Sequence, residues 1–215
     1  MADLRRTCSG CFLLLAVLLV AQFQTADAWG LNPNVTWQDF NSTVNNTDYM
    51  KLNEKPVLML VHKSWCKACR FLVDNLNDTN DPNVTEFVTL SQNFTMVDIT
   101  DEDEPEDAKY APDGRYNPRI VFLEPNGTVR ADLMCTYNCD PKYLFTYSFA
   151  DQVVESMRNV LDVLASVIAK RPAEVRKYVR AYKASHNGAS PYNGTSPYNS
   201  TRPYNGTRLY NGTSL

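Results

Sequence analysis

This 215-residue sequence contains only two histidines, and it lacks the residue patterns that several classes of active site require. Nothing around His62 or His186 indicates a Ser-His-Asp triad, and no paired catalytic carboxylates are evident. The eight glycines form no phosphate-binding loop. The formal net charge is -3, and no basic patch is interleaved with aromatic residues. The composition therefore gives no indication of nucleic-acid binding.

Long apolar runs are also missing, except at the N-terminus. Arg5 and Arg6 precede an apolar segment at residues 11–23, and a small-x-small cleavage site ends at Ala28. This pattern predicts a signal peptide over residues 1–28, with Trp29 as the first mature residue. The alternative is a transmembrane anchor, but the run is short and no polybasic stop follows it. We therefore expect no membrane association after cleavage.

Cleavage of the predicted signal peptide would remove Cys8 and Cys11 and leave four of the six cysteines in the mature protein. An even number of cysteines in the oxidising secretory route is compatible with two disulfides. The sequence also carries many Asn-x-Ser/Thr sequons, which support the same route. These candidate glycosylation sites are Asn34, Asn41, Asn45, Asn77, Asn83, Asn93, Asn126, Asn193, Asn199, Asn205 and Asn211.

The most informative stretch is an apolar run at residues 57–61 that leads into Trp65-Cys66-Lys67-Ala68-Cys69. The run predicts a buried strand, and the residues after it can start a helix. Two cysteines on the first turn of a helix can form a disulfide, and the helix dipole favours a thiolate on Cys66. Cys69 is then placed to attack a mixed disulfide formed by Cys66. These are the requirements of thiol–disulfide exchange.

The remaining pattern predicts an α/β domain over residues 29–170, in three layers around a mixed sheet. We expect a helix or irregular lead-in before residue 55, helices after Cys69 and at 84–90, and strands at 94–99 and 119–123. Residues 128–130 are predicted to form a hairpin with the last strand, and a closing helix follows from residue 149. Residues 171–189 are predicted to be a helical extension or linker. Residues 190–215 repeat a Pro-Tyr-Asn-Gly-Thr unit and are predicted to be a disordered tail.

Two motifs carry a resemblance to a known family. Residues 62–69, His-Lys-Ser-Trp-Cys-Lys-Ala-Cys, and residues 112–123, Pro-Asp-Gly-Arg-Tyr-Asn-Pro-Arg-Ile-Val-Phe-Leu, resemble the small thioredoxin-fold proteins of the endoplasmic reticulum that include the anterior gradient proteins. The resemblance implies a thioredoxin fold and protein-disulfide reductase activity on cysteine-containing client proteins. It also implies glutathione as a redox co-substrate, and we expect no bound cofactor or metal. The nucleophile would be Cys66, the resolving cysteine Cys69 and the cis proline Pro118.

The resemblance also implies a groove for extended polypeptide, framed by residues near the dithiol. Its candidate residues are Trp65, Lys67, Ala68, Asn117 and Pro118.

The sequence departs from the family pattern at three places. Lys67 replaces the usual glycine, and its positive charge predicts a lowered pKa of Cys66 and a more oxidising couple. Leu60 stands where many thioredoxin relatives bury a carboxylate, and no acidic substitute is evident, so we expect water to carry the proton. The chain ends at Leu215 without the family's retention signal, so secretion is the alternative to residence in the endoplasmic reticulum.

Other interpretations stay open at this point. Cys135 and Cys139 are expected to form a structural disulfide, with a second redox pair or a Cys₄ zinc site as alternatives. His62 is expected to be packed or hydrogen-bonded, and the acidic run at residues 101–107 to be a solvated loop. A non-catalytic chaperone or binding module, or a secreted glycoprotein acting through its tail, would be functions of a different class.

Overall fold

The computed structural model describes residues 30–186, 188–189 and 191. The predicted signal peptide lies outside the described residues, as does the predicted tail apart from residue 191, with its sequons at Asn193, Asn199, Asn205 and Asn211. The strands are β1 (Trp37–Asp39), β2 (Val57–His62), β3 (Thr95–Thr100) and β4 (Arg119–Leu123). The helices are α1 (Thr47–Leu52), α2 (Lys67–Asn77), α3 (Pro82–Ser91), α4 (Ala150–Val163) and α5 (Ala165–Ser185).

The four strands form one mixed sheet in the order β1-β3-β2-β4. Strand β3 pairs in parallel with both β1 and β2, whereas β4 runs antiparallel to β2. Every residue of β2 is buried, because it is a central strand with both faces covered. The carboxyl ends of β2 and β3 therefore meet at one edge of the sheet.

Alternate residues of β2 face two different layers. Val57, Met59 and Val61 belong to a buried cluster that also includes Tyr110, from a short 3-10 helix between β3 and β4, and Phe145, from the segment before α4. Leu58, Leu60 and His62 project to the opposite face, since side chains alternate along a strand.

Helix α3 lies on this opposite face. The ring of Trp37 packs 6.5 Å from that of Phe87 in α3, and Trp37 is in register with Met96, which is itself in register with Leu58. Helices α2 and α4 both contact α3, so the three helices form one layer over this face.

Strand β1 was not predicted, because residues before 55 were expected to form a helix or an irregular lead-in. It is a three-residue edge strand, too short to show a period in the sequence. A helix does follow it: Asn46 caps α1 by accepting hydrogen bonds from the N–H groups of Asp48 and Tyr49.

The predicted hairpin after β4 is present, and it is short. The turn is present, with Gly127 at φ 88°, in the left-handed region that favours glycine. Val129 forms an antiparallel bridge with Leu123, in which the N–H of Glu124 donates to the carbonyl of Thr128 at 2.8 Å and the N–H of Arg130 donates to the carbonyl of Phe122 at 2.9 Å. The chain turns again at once, with the N–H of Leu133 donating to the carbonyl of Arg130 at 3.0 Å, and this ends the pairing.

The closing helix breaks earlier than its proline suggests. Helix α4 ends at Val163 and α5 begins at Ala165, and α5 then runs through Pro172 without interruption. It therefore crosses the predicted domain boundary at residue 170. Arg171 is buried beside Pro172 and donates from Nε to the carbonyl of Asn53 at 2.9 Å, so tertiary contacts hold the helix where proline disfavours it. Within the described part of the chain, no helix has the length and apolar character needed to span a bilayer.

Candidate active site

The dithiol lies at the carboxyl edge of the sheet, where β2 passes into α2. The N–H of Cys66 donates to the carbonyl of Lys63 at 3.0 Å, which closes a tight turn after the strand. Cys66 is the N-cap residue of α2, and it forms a disulfide with Cys69 across a Cα–Cα distance of 5.2 Å. Cys69 is fully buried, whereas Cys66 is 8% exposed. An incoming thiol can therefore approach Cys66 more easily than Cys69.

The backbone around Cys66 is arranged to stabilise a negative charge on its sulfur. The N–H of Cys69 points at Sγ of Cys66 from 3.1 Å, as in a side-chain helix cap. The first turn of α2 contains no acidic residue, and the exposed side chain of Lys67 follows directly. The N-terminus of a helix and a nearby cation both favour a thiolate over a thiol.

The segment before β4 forms the second side of the site. The peptide bond between Asn117 and Pro118 is cis, and Pro118 is buried. The carbonyl oxygen of Asn117 lies 3.6 Å from Sγ of Cys66, so this backbone directly faces the dithiol. Ala68 is exposed on the first turn of α2. The structure thus brings the sequence-predicted residues together, and their roles remain predictions.

Exposed aromatic side chains flank the dithiol. Trp65, which precedes Cys66, is 78% exposed. Phe71 and Phe149 are 48% and 47% exposed, and their rings pack edge to face at 5.5 Å. Phe149 is the N-cap residue of α4, so the pair joins α2 to the start of α4.

The acidic run is not simply a solvated loop, because Glu104 is largely buried. Its carboxylate lies 2.7 Å from Nζ of Lys63, 2.5 Å from Nη2 of Arg119 and 3.3 Å from Nη1 of Arg115. Burial raises the pKa of Glu104, but the hydrogen bonds and charges of Lys63 and Arg119 outweigh it and leave the pKa lowered. The sequence pattern did not reveal this cluster. A signal was available in Arg119, a charged residue at the head of an apolar strand.

An acidic side chain also lies beside Leu60, although the sequence showed no substitute for the family's buried carboxylate. Asp98 on β3 is in register with Leu60, and its Oδ1 lies 2.5 Å from Nε2 of the fully buried His62. His62 is therefore packed and hydrogen-bonded, as expected. The interaction was hidden in the sequence because its two partners lie on different strands.

The other two cysteines form a disulfide within one loop. Cys135 and Cys139 are joined across a Cα–Cα distance of 5.9 Å. The loop is also held by Gln152 of α4, whose Nε2 donates to the carbonyl of Asn138 at 2.6 Å. Among the residues that the structure describes, the four cysteines are paired in these two disulfides, and a cysteine in a disulfide offers no thiolate to a metal ion.

The seven sequons within the described chain differ in the exposure of their asparagines. Four asparagines are exposed and three are half-buried. The exposed ones are Asn34, Asn41, Asn45 and Asn126, and the half-buried ones are Asn77, Asn83 and Asn93. An oligosaccharide has more room at the exposed group, and glycan occupancy itself stays a prediction.

The mixed sheet, together with a Cys-x-x-Cys disulfide at a helix N-terminus, defines a protein of the thioredoxin-like class. The predicted thioredoxin fold is confirmed. Residues 36–125 match the model of a family described as thioredoxin-like.

The chain is also similar to anterior gradient proteins. Anterior gradient protein 3 of Mus musculus is 28% identical over 141 residues, which cover 64% of this chain and 77% of that protein. Anterior gradient protein 3 of Homo sapiens is 28% identical over 141 residues, with coverages of 64% and 76%. Anterior gradient protein 2 homolog of Homo sapiens is 28% identical over 116 residues, with coverages of 53% and 61%. A thioredoxin from Thermus thermophilus, a solved structure, matches at 17% identity and a TM-score of 0.36 over 59% of this chain and 87% of that one, a likeness too weak to support an argument.

Proposed function

We propose that this protein is a thiol–disulfide oxidoreductase of the secretory pathway that acts on cysteine-containing client proteins. The observation that carries the proposal is the Cys66–Cys69 disulfide at the start of α2, with the N–H of Cys69 directed at Sγ of Cys66 from 3.1 Å. A structural disulfide needs no group that stabilises one sulfur as a thiolate. An exchange centre does need such a group.

The exchange proceeds through Cys66 in two steps. A client thiolate attacks Sγ of Cys66, the bond to Cys69 breaks, and Cys69 leaves as a thiolate that takes up a proton. A second client thiolate then attacks the client sulfur of the mixed disulfide and releases Cys66 as a thiolate. The client has lost two electrons, which the dithiol has gained. The two protons of the client thiols pass to solvent, and solvent supplies one proton to Cys69 and one to Cys66 when its thiolate is protonated. Reduction of a client is the same sequence reversed.

For the client-reducing direction, which leaves Cys66 and Cys69 as a disulfide, we propose glutathione as the partner that restores the dithiol, with two glutathione molecules giving one glutathione disulfide. The motif resemblance favours the endoplasmic reticulum lumen, and it favours thioredoxin domain-containing protein 12 as the relative within the wider group. The exposed sequons and the two disulfides support passage through an oxidising compartment.

The deciding experiment is the reduction potential of the Cys66–Cys69 couple in glutathione buffers, measured on the Cys135→Ala/Cys139→Ala variant. A potential at or above about -180 mV indicates a disulfide donor or isomerase, and one near about -270 mV indicates a reductase. Cys66→Ala is the matched control and must abolish exchange. Absence of exchange with glutathione in the unsubstituted dithiol contradicts the catalytic proposal.

A second candidate function is supported by the exposed aromatic side chains. Trp65, Phe71 and Phe149 present apolar surface near the dithiol, which a non-catalytic chaperone or binding module would use to hold clients. A Cys69→Ala variant, treated with an alkylating agent, separates the two functions. Mixed disulfides with client proteins support the oxidoreductase. Client binding without such disulfides supports the binding module.

A further inference from the structure

Glu104 joins two parts of the site that are distant in sequence. Its Oε2 lies 2.7 Å from Nζ of Lys63, and its Oε1 lies 2.5 Å from Nη2 of Arg119. The side chains of Glu104 and Lys63 are each only 13% exposed, and that of Arg119 is fully buried. Little solvent therefore screens these interactions.

Lys63 belongs to the approach to the dithiol. Its carbonyl accepts the hydrogen bond that places Cys66 at the head of α2, and its Nζ also donates to the carbonyl of Asp101. The next N–H, from Ser64, donates to Oδ1 of Asp101 at 2.8 Å. Asp101 has φ 37°, a left-handed conformation that non-glycine residues rarely adopt. The acidic run thus contacts Lys63 and Ser64, which form one side of the groove, through both Asp101 and Glu104.

Arg119 belongs to the opposite side. It follows closely on Asn117, whose carbonyl oxygen lies 3.6 Å from Sγ of Cys66. The guanidinium donates from Nε to the carbonyl of Tyr110 at 3.1 Å and from Nη1 to the carbonyl of Tyr116 at 3.0 Å. Arg119 is therefore fixed to the backbone at Tyr110 and at Tyr116. A group bound to Arg119 is fixed to the segment that faces the dithiol.

We propose that Glu104 is a positioning residue that sets the width of the client groove by tying the Lys63 side to the Arg119 side. The inference rests on the proposed exchange function, in which an extended client must meet Sγ of Cys66 and the backbone of Asn117 together. Glu104 touches neither the client nor the reacting sulfurs. It acts by holding the two surfaces in register.

A carboxylate is the group this position requires. Its Oε2 accepts from Lys63, and its Oε1 accepts from Arg119 and, at the longer distance of 3.3 Å, from Arg115, so both oxygens are used by cations. Glutamine would offer one acceptor and would turn an NH₂ group towards a cation. The lowered pKa of Glu104 agrees with a carboxylate that stays ionised in this setting.

The test compares Glu104→Gln with Glu102→Gln, using a peptide disulfide as substrate and glutathione as reductant. Glu102 is exposed in the same acidic run, so its variant loses the same charge and keeps the tie. We expect Glu104→Gln to raise the KM for the peptide about tenfold, since positioning errors cost this much or more. The rate at which iodoacetamide alkylates reduced Cys66 should stay unchanged, because this small reagent does not span the groove. Glu102→Gln should change neither quantity.

Lys63→Met is the second variant, because Glu104→Gln leaves the buried Arg119 without its anion and could unfold the domain. Lys63→Met breaks the tie on one side and keeps the pair between Glu104 and Arg119. We expect it to raise the peptide KM as well, and the double variant should be no worse than the poorer single one, since both remove the same link.

Two results overturn the proposal. One is a peptide KM in folded Glu104→Gln or Lys63→Met that equals that of Glu102→Gln. The other is a set of effects that multiply in the double variant, which would mean that the residues act independently. Failure of the proposed function itself is distinguishable, because the unsubstituted protein would then turn over no peptide at all.

Discussion

Removal of the Cys135–Cys139 disulfide should cost stability and leave exchange at Cys66 intact. The two cysteines are four residues apart, and closing so small a loop in the unfolded chain costs about 2 kcal/mol in the chain-entropy model. For a domain of this size, a loss of that magnitude corresponds to a decrease in Tm of about 4–8 °C. The Cys139→Ala variant gives the cleanest measurement, because it keeps the buried side chain of Cys135 in place. Cys135→Ala adds a loss of packing and should be less stable still.

The assay for this prediction combines thermal unfolding with the exchange rate between the dithiol and glutathione. An unchanged Tm in Cys139→Ala would refute the loop-closure argument, since the hydrogen bond from Gln152 to Asn138 would then suffice to order the loop. A large loss of exchange with a normal Tm would refute the structural role. In that case Cys135 and Cys139 would be the second redox pair that the sequence left open.

Three further predictions concern the dithiol and its surroundings. Lys67→Gly should raise the pKa of the Cys66 thiol and make the couple less oxidising. Because Lys67 is exposed, this effect should be smaller in high salt. The rate of Cys66 alkylation as a function of pH measures the pKa, and Lys67→Gln separates the effect of charge from that of helix propensity. The stabilisation due to ionised Glu104 should be complete above the ordinary pKa of 4.5. It should be lost as pH falls below 4.5 towards the lowered pKa of the folded state, because the unfolded state then binds more protons. A plot of the free energy of unfolding against pH should therefore have a shallower slope in Glu104→Gln than in Glu102→Gln. Phe149→Ser should reduce client capture by Cys69→Ala without changing alkylation of Cys66, and equal capture would contradict a role of the aromatic pair in binding.

The sequence predicts the parts of the fold that have a strong local pattern. Strand β2 is continuous in apolar residues because both of its faces are covered, so its pattern alone identifies it. Strand β1 has three residues at an edge and no period to detect. Proline disfavours the interior of a helix, yet the buried contacts of Arg171 keep α5 continuous through Pro172. Local propensity decides such positions only where tertiary contacts do not outweigh it.

The same division applies to the site. Cys66 and Cys69 are neighbours in sequence, so their spacing reveals the dithiol, whereas Glu104 gains its role from Lys63 and Arg119, which only the fold brings near. Charge could not distinguish Glu104 from the five other acidic residues at 101–107. Arg119 could have narrowed the choice. A guanidinium at the head of a buried strand needs an anion, because an unpaired buried charge is costly, and the acidic run precedes Arg119 in the same connection between β3 and β4. The length of that run then matters less than the one carboxylate that reaches inward, and the exposed acids beside it provide matched controls.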